Sequence, residues 1–236
     1  MNGLRRALGF LLLSFLASGC FTLGGQDPGY DLLLRGGVVY DGAGGEPYRA
    51  DVAILGDRIA AVGDLSTARS VGVMDVSGLV VVPGFLEAVP EIGSKERGAI
   101  LDGVTTLVTP VGHLSKKERR RGMRANVFEV AEGGLGTAEP IPALLDALGK
   151  GAAGAIAETI RELTHERALS MGLEGRGLLM PGYFADLAVV DLGLGGDDRP
   201  EEEAPPVVRH VCVNGEAVVR AGKLLPTRPG RILGRR

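Results

Sequence analysis

Side chains that ionise or bind metal near neutral pH are sparse in this sequence. Its 236 residues include three histidines, His113, His165 and His210, and two cysteines, Cys20 and Cys212. A catalytic zinc site normally takes three protein ligands and a water, so scattered imidazoles make a site only where the fold gathers them with other ligands. His165 lies beside Glu162 and Glu166 in a stretch of helical period, which reads as a solvated helix face. The basic run Lys116, Lys117, Arg119, Arg120, Arg121 and Arg124 is interrupted by Glu118. It reads first as a solvated helix face, and under a tethered protein it would also meet anionic lipid headgroups. The sequence has no glycine-rich phosphate loop, no Ser/His/Asp set and no Cys/His metal spacing.

Cys20 carries a different chemistry. Arg5 and Arg6 precede an uncharged run from Ala7 to Ala17, an n-region followed by an h-region. The run is shorter than the roughly 20 residues of a permanent membrane helix, so cleavage is expected. Leu16-Ala17-Ser18-Gly19-Cys20 resembles the lipobox of bacterial lipoproteins, with Ala17 where Leu is commoner. The resemblance implies a signal peptide over 1–19 and a tether over 20–29. Cys20 would then be acylated and held by membrane lipid. Phe21, standing where Asp would retain the protein at the inner membrane, implies the periplasmic side of the outer membrane in a Gram-negative cell. With Cys20 acylated, Cys212 has no disulfide partner. Its neighbours Val211 and Val213 mark it as a buried structural thiol.

Composition sets the class. Apolar residues make up 45% and charged residues 23%, which is ordinary for a globular chain of one domain or two small ones. A net charge of −3 offers no basic field, so nucleic acid is not an expected partner. A protein partner or oligomeric state is not legible.

The elements are short. From Asp31 to Pro83, apolar runs such as Leu32-Leu33-Leu34, Val52-Ala53-Ile54 and Leu79 to Val82 alternate with turns at Gly36-Gly37, Gly56-Asp57 and Ser77-Gly78. That pattern predicts antiparallel strands. The far end repeats it over Ala185 to Val190, Val207 to Val213, Ala217 to Val219 and Lys223 to Leu225, with Asn214-Gly215 as a hairpin turn. Between them, Ser115-Lys-Lys-Glu118 reads as a capping box opening a helix to about Glu132. Further helices are expected over Pro142 to Leu148 and Ala155 to Ser170. The second of these sets Ile156, Ile160, Leu163 and Arg167 along one face.

Several stretches carry a resemblance. They are Asp31-Leu-Leu-Leu-Arg-Gly-Gly-Val-Val-Tyr-Asp-Gly-Ala-Gly44, Met74-Asp-Val-Ser-Gly-Leu-Val-Val-Val-Pro-Gly-Phe-Leu86, Gly177-Leu-Leu-Met-Pro-Gly-Tyr-Phe-Ala-Asp-Leu-Ala-Val-Val-Asp191, His210-Val-Cys-Val-Asn-Gly215 and Arg228-Pro-Gly-Arg-Ile-Leu233. Together they resemble the two ends of metal-dependent amidohydrolases, in particular the N-acyl-D-amino-acid deacylases (D-aminoacylases). The fold class implied is mixed α/β: a composite antiparallel β-sandwich from both chain ends, over 30–83 and 178–225, beside a truncated remnant of a (β/α)8 barrel over 84–177. Residues 226–236 are left as a basic tail. Asp186, entering a strand from a turn, is expected to be structural.

The middle departs from the family. Pro83-Gly84-Phe85 is followed in the family by Ile-Asp-x-His-x-His, whose imidazoles hold a divalent metal; Val89 and Glu91 stand at those places here. Asp102-Gly-Val-Thr-Thr106 still resembles the second barrel strand. The 83 residues from Ser94 to Arg176 are far fewer than the roughly 250 of a full barrel. No family residue can therefore be carried over to a catalytic role. Glu87, Glu91 and His113 are the remaining candidates for a relic metal site, and they are expected to point apart into solvent. The reading is a lipid-anchored, non-catalytic family member that binds or is a remnant, with no cofactor. The alternative is a hydrolase of non-peptide carbon–nitrogen bonds in linear amides, N-acyl-D-amino-acid deacylase-like, in which a zinc-bound water attacks the carbonyl.

Overall fold

β-Branched residues between glycine turns build the first half of the molecule. Its computed structural model describes residues 29–93, 95–131, 139–193 and 207–234, so Cys20 and the signal sequence lie outside the described residues. Strands β1 (Tyr30–Val39), β2 (Tyr48–Leu55), β3 (Arg58–Gly63), β4 (Ser70–Asp75) and β5 (Val80–Pro83) follow in order. β1 pairs antiparallel with β2, setting Leu33 opposite Ala53. On its other side it pairs in parallel first with β4, Leu33 beside Val73, and then with β5, Val38 beside Val80. This sheet is therefore mixed, where turn chemistry alone predicts hairpins. Residues 64–69 cross from β3 to the opposite edge of β1, so β4 enters in the direction of β1. The register shift between Leu34 and Gly37, with Gly36 at φ 75°, is where β1 exchanges one partner for the other.

The far end of the chain completes the same sheet. β9 (Leu187–Asp191) lies antiparallel to β5, with Val80 opposite Val190 and Pro83 opposite Leu187. Then come β10 (Val207–Val213), β11 (Glu216–Arg220) and β12 (Lys223–Leu224), giving nine strands in all. Asn214 (φ 48°) and Gly215 (φ 81°) form the turn between β10 and β11. Alternation gives the sheet two apolar faces. Leu34, Val52, Ile54, Val81, Val189 and Cys212 line one. Val80, Val82, Ala188, Val190 and Val211 line the other, which carries helices.

A second, four-stranded sheet has the order β13-β8-β7-β6, with every pairing parallel. Its strands are β6 (Phe85–Ala88), β7 (Val104–Pro110), β8 (Asn126–Val130) and β13 (Ile232–Leu233). Helix α1 (Lys95–Leu101) connects β6 to β7, and α2 (Lys116–Arg121) connects β7 to β8. The Ser115/Glu118 capping box is formed. The helix it opens stops at Gly122 (φ 73°) and does not reach Glu132, because Asn126-Val-Phe-Glu-Val130 has the apolar, β-branched character of a strand and becomes β8. α3 (Pro140–Gly149) and α4 (Ala153–Arg161) bury Leu144, Ile156 and Ile160 in an apolar core to which both sheets contribute. A π-helical turn over Glu162–Glu166 then leads into α5 (Arg167–Met171), whose Ala168 and Met171 meet Leu86, Val108 and Phe128 of the small sheet.

The expected basic tail is not a tail. Thr227 Oγ1 donates to Ala217 O, Gly230 N donates to Met123 O, and Ile232–Leu233 pairs with Val127 and Phe128. Residues 226–234 carry backbone donors and acceptors that β8 can use, and charge composition does not report that.

Candidate functional site

In parallel βα folds, chemistry gathers at the carboxyl ends of the strands. Glu87 sits near that end of β6, opposite Leu107 of β7, and is half-buried. Burial first, then the nearby carboxylates Asp102 and Glu139, push its carboxyl above the usual range against the opposing pull of Arg167 and Lys95. Asp102 is raised for the same reasons, burial and Glu139. Val89 is buried, its backbone N–H donating to Val108 O, and it packs in the apolar core. Glu91 is exposed. His113 is also exposed, with Nδ1 2.8 Å from the carbonyl of Pro90. Glu87 and His113 thus find different neighbours. Among the described residues no three His, Cys, Asp or Glu side chains gather in a way that would hold a metal.

His165 differs from its sequence reading. It lies on the π-helical turn and is half-buried, with Nδ1 enclosed and unpartnered among the described residues. The wider turn rotates it off the solvated face on which a regular helix would leave it. The α2 cations are exposed, and one of them, Arg119, pairs with Glu129 at 2.6 Å. Cys212 is buried, and burial pushes its thiol up to about 12, which makes it inert.

The most organised polar cluster joins the two sheets. Asp186, 4% exposed, accepts from Arg176 Nη1, from Asn126 Nδ2 at 3.1 Å and from the Asn214 backbone N–H at 2.7 Å. Asn214 Nδ2 donates to Asn126 Oδ1 and to Pro229 O, both at 2.8 Å, while Arg176 Nη2 donates to Asn214 Oδ1 at 3.0 Å. A buried ion pair is tolerated when its remaining donors and acceptors are met in this way. Asp186 therefore has a structural role in the fold. Its partners Arg176, Asn126 and Asn214 were not singled out from sequence. Asn214-Gly215 read only as a turn, and nothing about Asn126 announces that it meets Asp186 60 positions away.

No protein-family model matches the chain. In sequence it is 46% identical over 86 residues to a D-aminoacylase of Alcaligenes xylosoxydans xylosoxydans, covering 34% of this chain and 18% of that protein. It is 53% identical over 57 residues to an N-acyl-D-glutamate deacylase of the same organism, covering 24% of this chain and 12% of that one. In structure it superposes on a D-aminoacylase solved for the role of its binuclear metal centre. The TM-score is 0.62 at 16% identity, over 87% of this chain and 100% of the other.

The fold is similar to that of this D-aminoacylase, a mixed α/β architecture dominated here by strands. In sequence, its matched stretches are similar to parts of a D-aminoacylase and of an N-acyl-D-glutamate deacylase. The matched sequence spans less than a fifth of the length of these curated relatives. The metal that such relatives use does not fit the residues described here. Val89 and Glu91, the residues that the resemblance sets against the first ligand pair, are respectively buried and exposed, and His113 turns to a backbone carbonyl.

Proposed function

We propose that this protein is a non-catalytic member of the D-aminoacylase group, held at the outer membrane by lipid on Cys20 and acting by binding. The observation that carries the reading is Val89, packed in the core where a metal-ligating imidazole would have to point into an open site. A hydrophobic side chain there both lacks a ligand atom and fills the space. On this reading the nine-stranded sheet stands for the composite β-sandwich that the resemblance implies, and β6, β7 and β8 for the opening of the barrel. The carboxyl ends of those strands offer one half-buried glutamate among other carboxylates, which is no nucleophile, base and metal set.

The test is metal content of the purified full chain, measured together with turnover of an N-acetyl-D-amino acid. Substoichiometric zinc, iron and copper with no hydrolysis is expected. Stoichiometric metal with turnover would overturn the reading and establish the linear-amide hydrolase instead. The anchor is tested separately: Cys20→Ala removes the thiol that is acylated, so incorporation of labelled fatty acid should vanish. Unchanged labelling would end the lipoprotein reading.

A further inference from the structure

Phe184 lies at the junction of the two sheets, in a pocket of about 390 Å³ walled by Arg58, Arg176, Arg231, Glu174 and the β13 backbone. Three guanidinium carbons stand 3.5, 3.9 and 5.8 Å from the centroid of its ring, those of Arg58, Arg176 and Arg231 in turn. The ring face attracts each cation but neutralises none. Arg176 is spent on Asp186 and Asn214. The other two share one carboxylate: Asp57 Oδ2 takes Arg231 Nη1 at 2.7 Å, and Asp57 Oδ1 lies 3.5 Å from Arg58 Nε. Arg58 Nη1 also donates to Gly182 O at 2.9 Å. Among the described residues, that leaves Arg58 Nη2 and Arg231 Nη2 and Nε without a protein acceptor.

These donors belong to side chains that are 44% and 49% exposed. The positive field is felt inside as well. Burial first, then Arg231 and Arg58, push the Arg176 guanidinium down to about 9. A guanidinium fork matches carboxylate and phosphate oxygens in pairs. The volume lies in the range of small-molecule sites, about 300–1,000 Å³.

We propose that this pocket binds a small oxyanion, a carboxylate or a phosphate monoester, through Arg58 and Arg231, beside the edge of Phe184. The assignment does not depend on whether the chain hydrolyses amides. Glu174 at the wall opposes the anion and so gives the test a second sign.

The experiment is isothermal titration calorimetry of the full chain with inorganic phosphate and, separately, with acetate, in a buffer of low chloride. One saturable site is expected. The tighter of the two anions identifies the headgroup, and either order supports an oxyanion site. Arg231→Gln and Arg58→Gln should each weaken binding about tenfold, the loss of one charge-assisted pair. Glu174→Gln should tighten it severalfold, and Lys117→Gln, on α2, should leave it unchanged. Circular dichroism confirms folding; if an arginine variant unfolds, the Glu174→Gln result decides. No saturation by about 10 mM of either anion, tenfold above a millimolar affinity, would overturn the proposal. So would equal affinity in the wild type and every folded variant.

Discussion

The nine-stranded and four-stranded sheets draw on the same short β-branched runs but close in different ways. The large sheet closes by backbone pairing of the two chain ends, β5 against β9, and covers both faces with side chains. The small sheet has only three strands of its own, and its two edges are handled by parts brought from elsewhere. β13 pairs with β8 at one edge. At the other, Arg167 donates to the carbonyl of Leu86 on β6. Unpaired edges invite association with other chains, so the smaller sheet depends on contacts distant in sequence that the larger one supplies within its own ladder.

The largest expected effect is at the seam between them. Asp186→Ala strands Arg176 as a buried cation and should cost about 3–5 kcal/mol in urea unfolding. A loss of surface size would mean the sheets are not held together there. Within the large sheet, Gly215→Ala places a Cβ 2.0 Å from Gly56 O on a residue at φ 81°. Backbone cannot retreat as a flexible side chain can, so a destabilisation of about 1–3 kcal/mol is expected from thermal melts. Within the small sheet, Arg167→Ala uncovers the Leu86 carbonyl. A loss of about 1 kcal/mol is expected, with a rise in concentration-dependent association by light scattering. A strictly monomeric variant would show that α5 alone protects β6.

The smallest effect is at Glu87. A folded-state pKa above the ordinary 4.5 means that the folded protein holds this proton more tightly than the unfolded chain. Stability from that proton is full below pH 4.5 and is lost as the pH rises through the folded value. Glu87→Gln should therefore match the wild type at pH 3.5 and exceed it at pH 7. The gain should be under about 1 kcal/mol, because the group is half-exposed and screened. A variant less stable at pH 7 would show that the ionised carboxylate has a favourable partner.

Much of the large sheet was legible because turn glycines and alternating apolar residues are local signals. The ranges Val207 to Val213 and Ala217 to Val219 fall on β10 and within β11. The parallel entry of β4 was not, since strand direction depends on a crossover that leaves no residue pattern. β8 was hidden for another reason: the basic run before it continues a helical composition, and only Gly122 marks the break. At the candidate site, Val89 and Glu91 were readable as departures from the resemblance. The surroundings of Glu87 were not, because Asp102 and Glu139 reach it from different elements. The arginine pocket was invisible for the same reason: Arg58 and Arg231 stand 173 positions apart.

The β5–β9 pairing also dictates when this protein can fold. Val80 meets Val190, 110 positions later. At about 5–20 residues per second, the ribosome delivers that partner on the order of ten seconds after β5 emerges. Through that interval Val80, Val81 and Val82 present an apolar strand with one edge unmatched. A nascent chain in this state is a substrate for chaperones and, if it is exported, for a translocase that requires unfolded polypeptide. Its sheet cannot be finished until synthesis has passed β9, and pairing across such a separation is intrinsically slow.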